Sequence, residues 1–172
     1  MTDALDEVRA QWRQLRPELD TAPIDTVGRI NRISRILQLQ SDALLKQFGF
    51  SRGEFDILAA LVRSDRALMP SEIADRLIVS APAVTKWTQR LVEQGHIERR
   101  PHPRDKRGSL LYATRSGADA IHAMLPVQLE AEAQPLGIMS PTELDALNAT
   151  LRTLLAQLEP QHASHEPANT QS

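Results

Sequence analysis

Residues 70–113 hold the pattern that most narrows the fold: two short helical segments joined by a tight turn, then a strand, a basic hairpin and a second strand. Pro70 suits a first helical position, Glu72 and Asp75 lie in or near the first turn, and Ile73, Ala74 and Leu77 recur at inward spacing, which predicts a helix over Pro70–Leu77. After Ile78-Val79, Ser80 can cap a second helix that passes through Pro82 to Gln94 and stops at Gly95. Two helices joined this tightly form a helix-turn-helix unit. Ile97–Arg100 and Leu110–Ala113 read as strands, and the polar, proline-rich stretch Pro101–Gly108 between them reads as a hairpin with a basic tip. In that order the elements make a winged helix.

The flanking sequence is helical. Leu5, Val8, Trp12 and Leu15 repeat at helical spacing before Pro17 and Pro23, so residues 3–16 form a short amphipathic arm. Val27, Ile30, Ile33, Leu37, Leu44 and Phe48 mark a long helix from about Asp25 to Gln47, closed by Gly49. Ser51-Arg52-Gly53-Glu54 is a capping box that starts a helix burying Phe55, Leu58, Leu61 and Val62. Thr114 opens a helix through about Leu125, expected to break at Pro126 and resume toward Gln134. A second capping box, Ser140-Pro141-Thr142-Glu143, precedes Leu144, Leu147, Leu151, Leu154 and Leu158, a leucine seam too short to hold a coiled coil alone.

The expected architecture is therefore α+β and mostly helical, a winged helix-turn-helix with an all-helical dimerisation layer. The arm covers residues 1–24, the dimerisation helices 25–50 and 115–159, the DNA-binding lobe 51–114, and an apolar-poor, disordered tail 160–172.

Charge is distributed to match. The formal net charge is −2, yet residues 85–107 carry seven Lys/Arg against three acids, while residues 1–25 carry three basic and six acidic groups and residues 116–172 one and seven. A basic patch sits on an acidic body. The chain has no cysteine, hence no disulfide framework or thiolate metal site, and no signal-peptide core or 18-residue apolar run, so a cytoplasmic protein without a membrane partner is expected.

On the helix after Ser80, Val84, Thr88 and Leu91 share one face at i, i+4 and i+7, which leaves Pro82, Ala83, Thr85, Lys86, Gln89 and Arg90 toward the other. A helix fits the major groove, where Thr85, Lys86 and Gln89 could meet base edges or phosphates. Taken alone the same pattern describes an ordinary amphipathic surface helix. The neighbouring hairpin decides between the two, because Arg104, Lys106 and Arg107 at a wing tip could reach phosphates or the minor groove, with Asp105 pairing to Arg107. Double-stranded DNA is the expected macromolecular partner.

The stretches Pro70–Leu77, Val79–Thr85, Leu91–Arg99 and Pro103-Arg104-Asp105-Lys106-Arg107-Gly108, followed by Thr114, resemble the MarR family over roughly residues 27–158. That resemblance implies a homodimeric repressor that binds an inverted-repeat operator and releases it on binding a small aromatic or phenolic effector. The N-terminal helix with Trp12, the Arg16–Asp20 segment and Gly53-Glu54-Phe55-Asp56 resemble more narrowly the urate-responsive subgroup. This implies a ligand site built on Trp12, Asp56 and Arg99. The subgroup's recognition-helix arginine stands here as Trp87, which exchanges a charged donor for an aromatic face. Asp56 paired with Arg99 at the root of the wing, and the two tryptophans around the ligand, are the expected arrangement. Plain packing for Trp12 and Trp87 and a surface ion pair for Asp56 remain the alternatives.

Nothing points to catalysis. His96, His102, His122, His162 and His165 form no metal-ligand spacing, and no phosphate loop or nucleophile elbow occurs, so neither cofactor nor metal is expected. A winged-helix lobe that serves only protein interaction is the rival class, separable by the salt dependence of DNA affinity.

Overall fold

A computed structural model describes residues 2–104 and 108–164, with the backbone alone described for 160–164. The chain divides into two compact units, residues 1–129 and 130–172. No described helix is long and apolar enough to cross a membrane.

In the first unit, α1 (Ala4–Leu15) begins at a reciprocal cap. The Asp3 carboxylate accepts from the Leu5 and Asp6 N–H groups, and Asp6 accepts from the Asp3 N–H. α1 buries no residue fully; it is held by charge. Arg29 donates to Asp3 and to Asp6, both at 2.7 Å, and to the Asp25 carbonyl at 2.8 Å, while Arg9 pairs with Asp25. The Arg29 guanidinium holds the Asp3 carboxyl below its ordinary value; Asp6 is lowered first by the Asp3 N–H and then by Arg29.

α2 (Arg29–Leu45) follows a π-helical turn at Ile24–Gly28 and ends through a single 3₁₀ turn at Gly49, whose φ of 82° needs a residue without Cβ. α3 (Arg52–Ser64) starts at the Ser51/Glu54 capping box. α4 (Pro70–Leu77) has the predicted bounds; Met69, its N-cap, supplies no side-chain cap. α5 (Ala81–Glu93) is capped by Ser80, and Gly95 (φ 75°) turns the chain into β1 (Ile97–Pro101).

β1 pairs antiparallel with β2 (Ser109–Ala113), in a register running from Ile97 opposite Ala113 to Pro101 opposite Ser109. Leu68, between α3 and α4, exchanges two backbone hydrogen bonds with Leu111 and so widens the base of the wing, a pairing the sequence pattern did not suggest. Leu58, Leu61, Leu68, Ile73, Val84, Leu91, Ile97 and Leu111 are all buried in one core, so helix pair and wing are a single packed body.

α6 (Arg115–Ala133) runs straight through Pro126, contrary to the expected break. Ile121, Met124 and Gln128 are buried at i, i+3 and i+7 on both sides of the proline, so burial of one continuous face outweighs the hydrogen bond that Pro126 cannot make. Gln128 accepts from Ser41 of α2 at 3.1 Å. In the second unit, α7 (Pro141–Ser164) starts at the Ser140/Glu143 box and carries the helix past Pro160, where the ordered chain was expected to end. Pro160 removes only the one backbone bond that its missing N–H would have made. Residues 165–172 of the expected tail lie outside the described residues.

Candidate nucleic-acid interface

The buried face of α5 is the predicted one: Val84, Thr88 and Leu91 are all at most 1% exposed. The opposite face is open. Ala81, Pro82, Thr85, Lys86, Gln89, Arg90 and Glu93 line a shallow hollow along it, and all seven are exposed while Ala83 is half-buried. Ser80 Oγ accepts from the Ala83 N–H, Thr85 Oγ1 donates to the Ala81 carbonyl, and Gln89 Nε2 donates to Glu93. Glu93 was not among the expected site residues; it is an acid on an otherwise basic face and orients Gln89.

Arg90 is less free than its exposed position suggests. Its Nε lies 3.2 Å from Glu54, a carboxylate only 1% exposed that also accepts from the Ser51 N–H. The capping box revealed Glu54 as a cap; its second role across helices has no one-dimensional signal.

The turn before α5 is left-handed at Ile78 (φ 53°, ψ 51°), unusual for a β-branched residue, and is held by Ile78 N–H to Asp75 and Val79 N–H to Ala74. On the wing, Arg104 is exposed and His102 N–H donates to the Gly108 carbonyl across the hairpin. Asp105, Lys106 and Arg107 lie outside the described residues. Arg100 stacks 4.6 Å over the Tyr112 ring and grips Glu98, which holds the Glu98 carboxyl below its ordinary range.

Of the four expected ligand residues, Trp87 packs on α3, Asp56 lies on α3 and Arg99 bonds α5. The Trp87 indole lies so close over Gly53 that a Cβ there would come within 2.2 Å of the ring. Asp56, one turn along α3, is bonded by Arg52 Nε at 2.9 and 3.0 Å. Arg99 Nη2 donates to Thr88 Oγ1 at 3.3 Å, tying β1 to α5. Trp12 stands apart within the chain. α1 is pinned to residues 25–29, whereas Arg52 at the start of α3 bonds Ser41 and Asp42, at least twelve positions or about 18 Å further along α2. Among the described residues, no cluster of three or more His, Cys, Asp or Glu could hold a metal ion.

A tight helix pair with an exposed polar second helix, backed by a two-stranded wing, is the DNA-binding lobe of a winged helix-turn-helix protein. The MarR family model matches residues 48–108. The chain is 30% identical over 157 residues to the HTH-type transcriptional regulator PecS of Dickeya dadantii, covering 90% of this chain and 92% of that protein. It is likewise 30% identical to the transcriptional repressor MprA of Escherichia coli K12, covering 73% and 72% of the two chains. Among solved structures, a mutant MarR from E. coli complexed with operator DNA superposes with a TM-score of 0.68 at 24% identity, covering 84% of this chain and 97% of that one. The chain belongs to the MarR family of DNA-binding transcriptional regulators. PecS and MprA are named as a transcriptional regulator and a transcriptional repressor, not as enzymes.

Proposed function

We propose that this regulator is a cytoplasmic repressor that binds a two-fold-symmetric operator as a homodimer and is released by a small aromatic or phenolic anion. The exposed polar face of α5 beside the basic β1 strand carries the reading. Thr85, Lys86 and Gln89 address the major groove, with Ser80, Pro82 and Ala83 at the end of the helix that enters deepest. Arg104, Lys106 and Arg107 reach phosphates or the minor groove. Arg90 contributes a guanidinium already steered by Glu54.

Dimerisation is supported by apolar surface that a single chain leaves open. Val27, Ile30 and Ile33 are each more than a third exposed in the second-helix region, and so, on α7, are Leu147, Leu151, Leu154 and Leu158. In this reading 25–50 and 115–159 form the dimer layer with arm 1–24, and 51–114 is the DNA-binding lobe.

The effector site rests on Asp56, Trp87 and Arg99. An aromatic anion stacking on Trp87 and drawing on Arg52 or Arg99 would disturb contacts that seat α5, namely the Trp87–Gly53 packing and the Arg99–Thr88 bond. An effector shifts operator affinity only by its differential affinity for the two states, typically about 1–3 kcal/mol of coupling. Trp12 is left as an arm residue within the chain.

The test is a gel-shift titration on DNA upstream of the protein's own gene, followed by a screen of aromatic acids with tryptophan fluorescence. Release accompanied by a Trp87 signal that survives Trp12→Phe, and is uncoupled in Asp56→Ala, supports the site. An effector that releases DNA but leaves Trp87 unperturbed and tolerates Asp56→Ala places the ligand elsewhere. DNA affinity independent of salt would remove the DNA-binding reading itself.

A further inference from the structure

On the flank of the lobe formed by α3 and α4, a hollow of about 380 Å³ is lined by Ala60, Arg63, Ser64, Arg66 and Arg76. Three guanidiniums thus converge from three elements: the last turn of α3, the following loop and the last turn of α4. Each is held from behind. Arg63 Nε donates to the Ala59 carbonyl at 3.3 Å, Arg66 donates to the Ala67 carbonyl at 2.9 Å and to Glu72 at 2.7 Å, and Arg76 donates to Ser64 Oγ at 3.1 Å. Ser64 Oγ is itself fixed, donating to the Ala60 carbonyl at 2.7 Å.

These anchors use one of the five N–H groups on Arg63 and on Arg76 and three on Arg66. Glu72 offsets one of the three charges. Among the described residues Arg63 and Arg76 form no hydrogen-bonded pair with a carboxylate, and the Glu72 carboxylate that grips Arg66 also lies in the field of Arg76. A cation in the last turn of a helix is favoured by the helix dipole, which accounts for Arg63 and Arg76 singly. It does not account for three cations gathered round one exposed hollow, an arrangement whose field favours an anion between them. The lining contains one apolar side chain, Ala60, so the hollow offers almost no apolar surface to a ligand.

We propose that this hollow binds a small multivalent oxyanion, a phosphate or polycarboxylate, which the arginines clamp through paired N–H···O bonds. Planar guanidiniums match both groups bidentately, and the volume lies at the small end of ligand sites. The anion bridges α3 to α4, the first helix of the DNA-binding pair. This site is separate from the proposed aromatic effector site and does not depend on it.

Isothermal titration of the full chain with inorganic pyrophosphate and, separately, with citrate at low salt and matched ionic strength tests the proposal. Saturable binding at one site per chain by either anion is expected, and which of them binds distinguishes phosphate from carboxylate preference. The Arg63→Gln/Arg76→Gln pair should weaken it about tenfold, as for lost charge-assisted hydrogen bonds, whereas Arg115→Gln, at a 94% exposed side chain on α6, should leave it unchanged. Arg63→Gln alone keeps the Arg76–Ser64 bond, so it reports even if the pair misfolds, and it should weaken binding several-fold. Three results would overturn the proposal. They are no saturable heat with either anion, an equal loss in Arg115→Gln, and a double variant that loses operator affinity with a shallower salt slope in a protein that binds neither anion. The last would make the hollow a seat for a DNA phosphodiester.

Discussion

The buried Glu54 carboxylate lies 3.2 Å from Arg90 Nε and at the same time accepts from the Ser51 N–H at 2.7 Å. One side chain thus caps α3 and fixes the angle at which the recognition helix α5 carries its exposed guanidinium. Removing either partner leaves the other poorly satisfied, and the buried one has no access to water.

Arg90→Ala strands the Glu54 charge and should destabilise the protein by about 1–3 kcal/mol. Glu54→Gln keeps a cap acceptor and should cost less. In urea titrations the two changes should be non-additive, with a coupling of about 0.5 kcal/mol or more. Strict additivity would show that the pair does not act in solution.

Gly53→Ala places a Cβ against the Trp87 ring. The indole or the whole of α5 has to move, so we expect about 1–3 kcal/mol of lost stability and a weaker operator complex. Trp87 emission should change as its environment opens. An unaltered spectrum with full DNA affinity would show that the ring can relocate without moving the helix.

Ile78 holds a left-handed conformation that asparagine tolerates better. Its side chain is 59% exposed, so little packing is lost on replacement. Ile78→Asn should raise stability by about 0.5–1 kcal/mol, read as a higher urea midpoint at unchanged slope. A lower midpoint would mean that the exposed isoleucine packs better than its exposure indicates.

The arm should respond to acid. Asp3 and Asp6 both titrate below their ordinary value of 3.8 when docked on Arg29, so their contribution is complete above that value and is lost as the pH falls through the lower, docked value. Trypsin or hydrogen-exchange protection of α1 should persist at pH 5 and disappear in more acidic solution. Arg29→Ala should free the arm already at pH 7 while the DNA-binding lobe stays folded. Retained protection in that variant would mean that the apolar contact of Leu5 with Gly28 holds the arm instead.

Local chemistry was legible in one dimension. Ser51, Ser80 and Ser140 start helices, Gly49 and Gly95 end them, Pro70–Leu77 has the bounds its residues imply, and the spacing of Val84, Thr88 and Leu91 told the buried face of α5 from the open one. These features depend on hydrogen bonds and side-chain periods within a few residues, which the order of residues alone determines. Relations between distant segments were decided only by packing. Pro126 lies inside a continuous helix because the buried face on either side of it outweighs one absent bond. Asp56 is bonded by Arg52 on its own helix, Arg99 reaches Thr88, and the helix that carries Trp12 is pinned at the start of α2. A carboxylate takes whichever guanidinium the folded backbone brings within about 3 Å, and only the tertiary structure sets that distance.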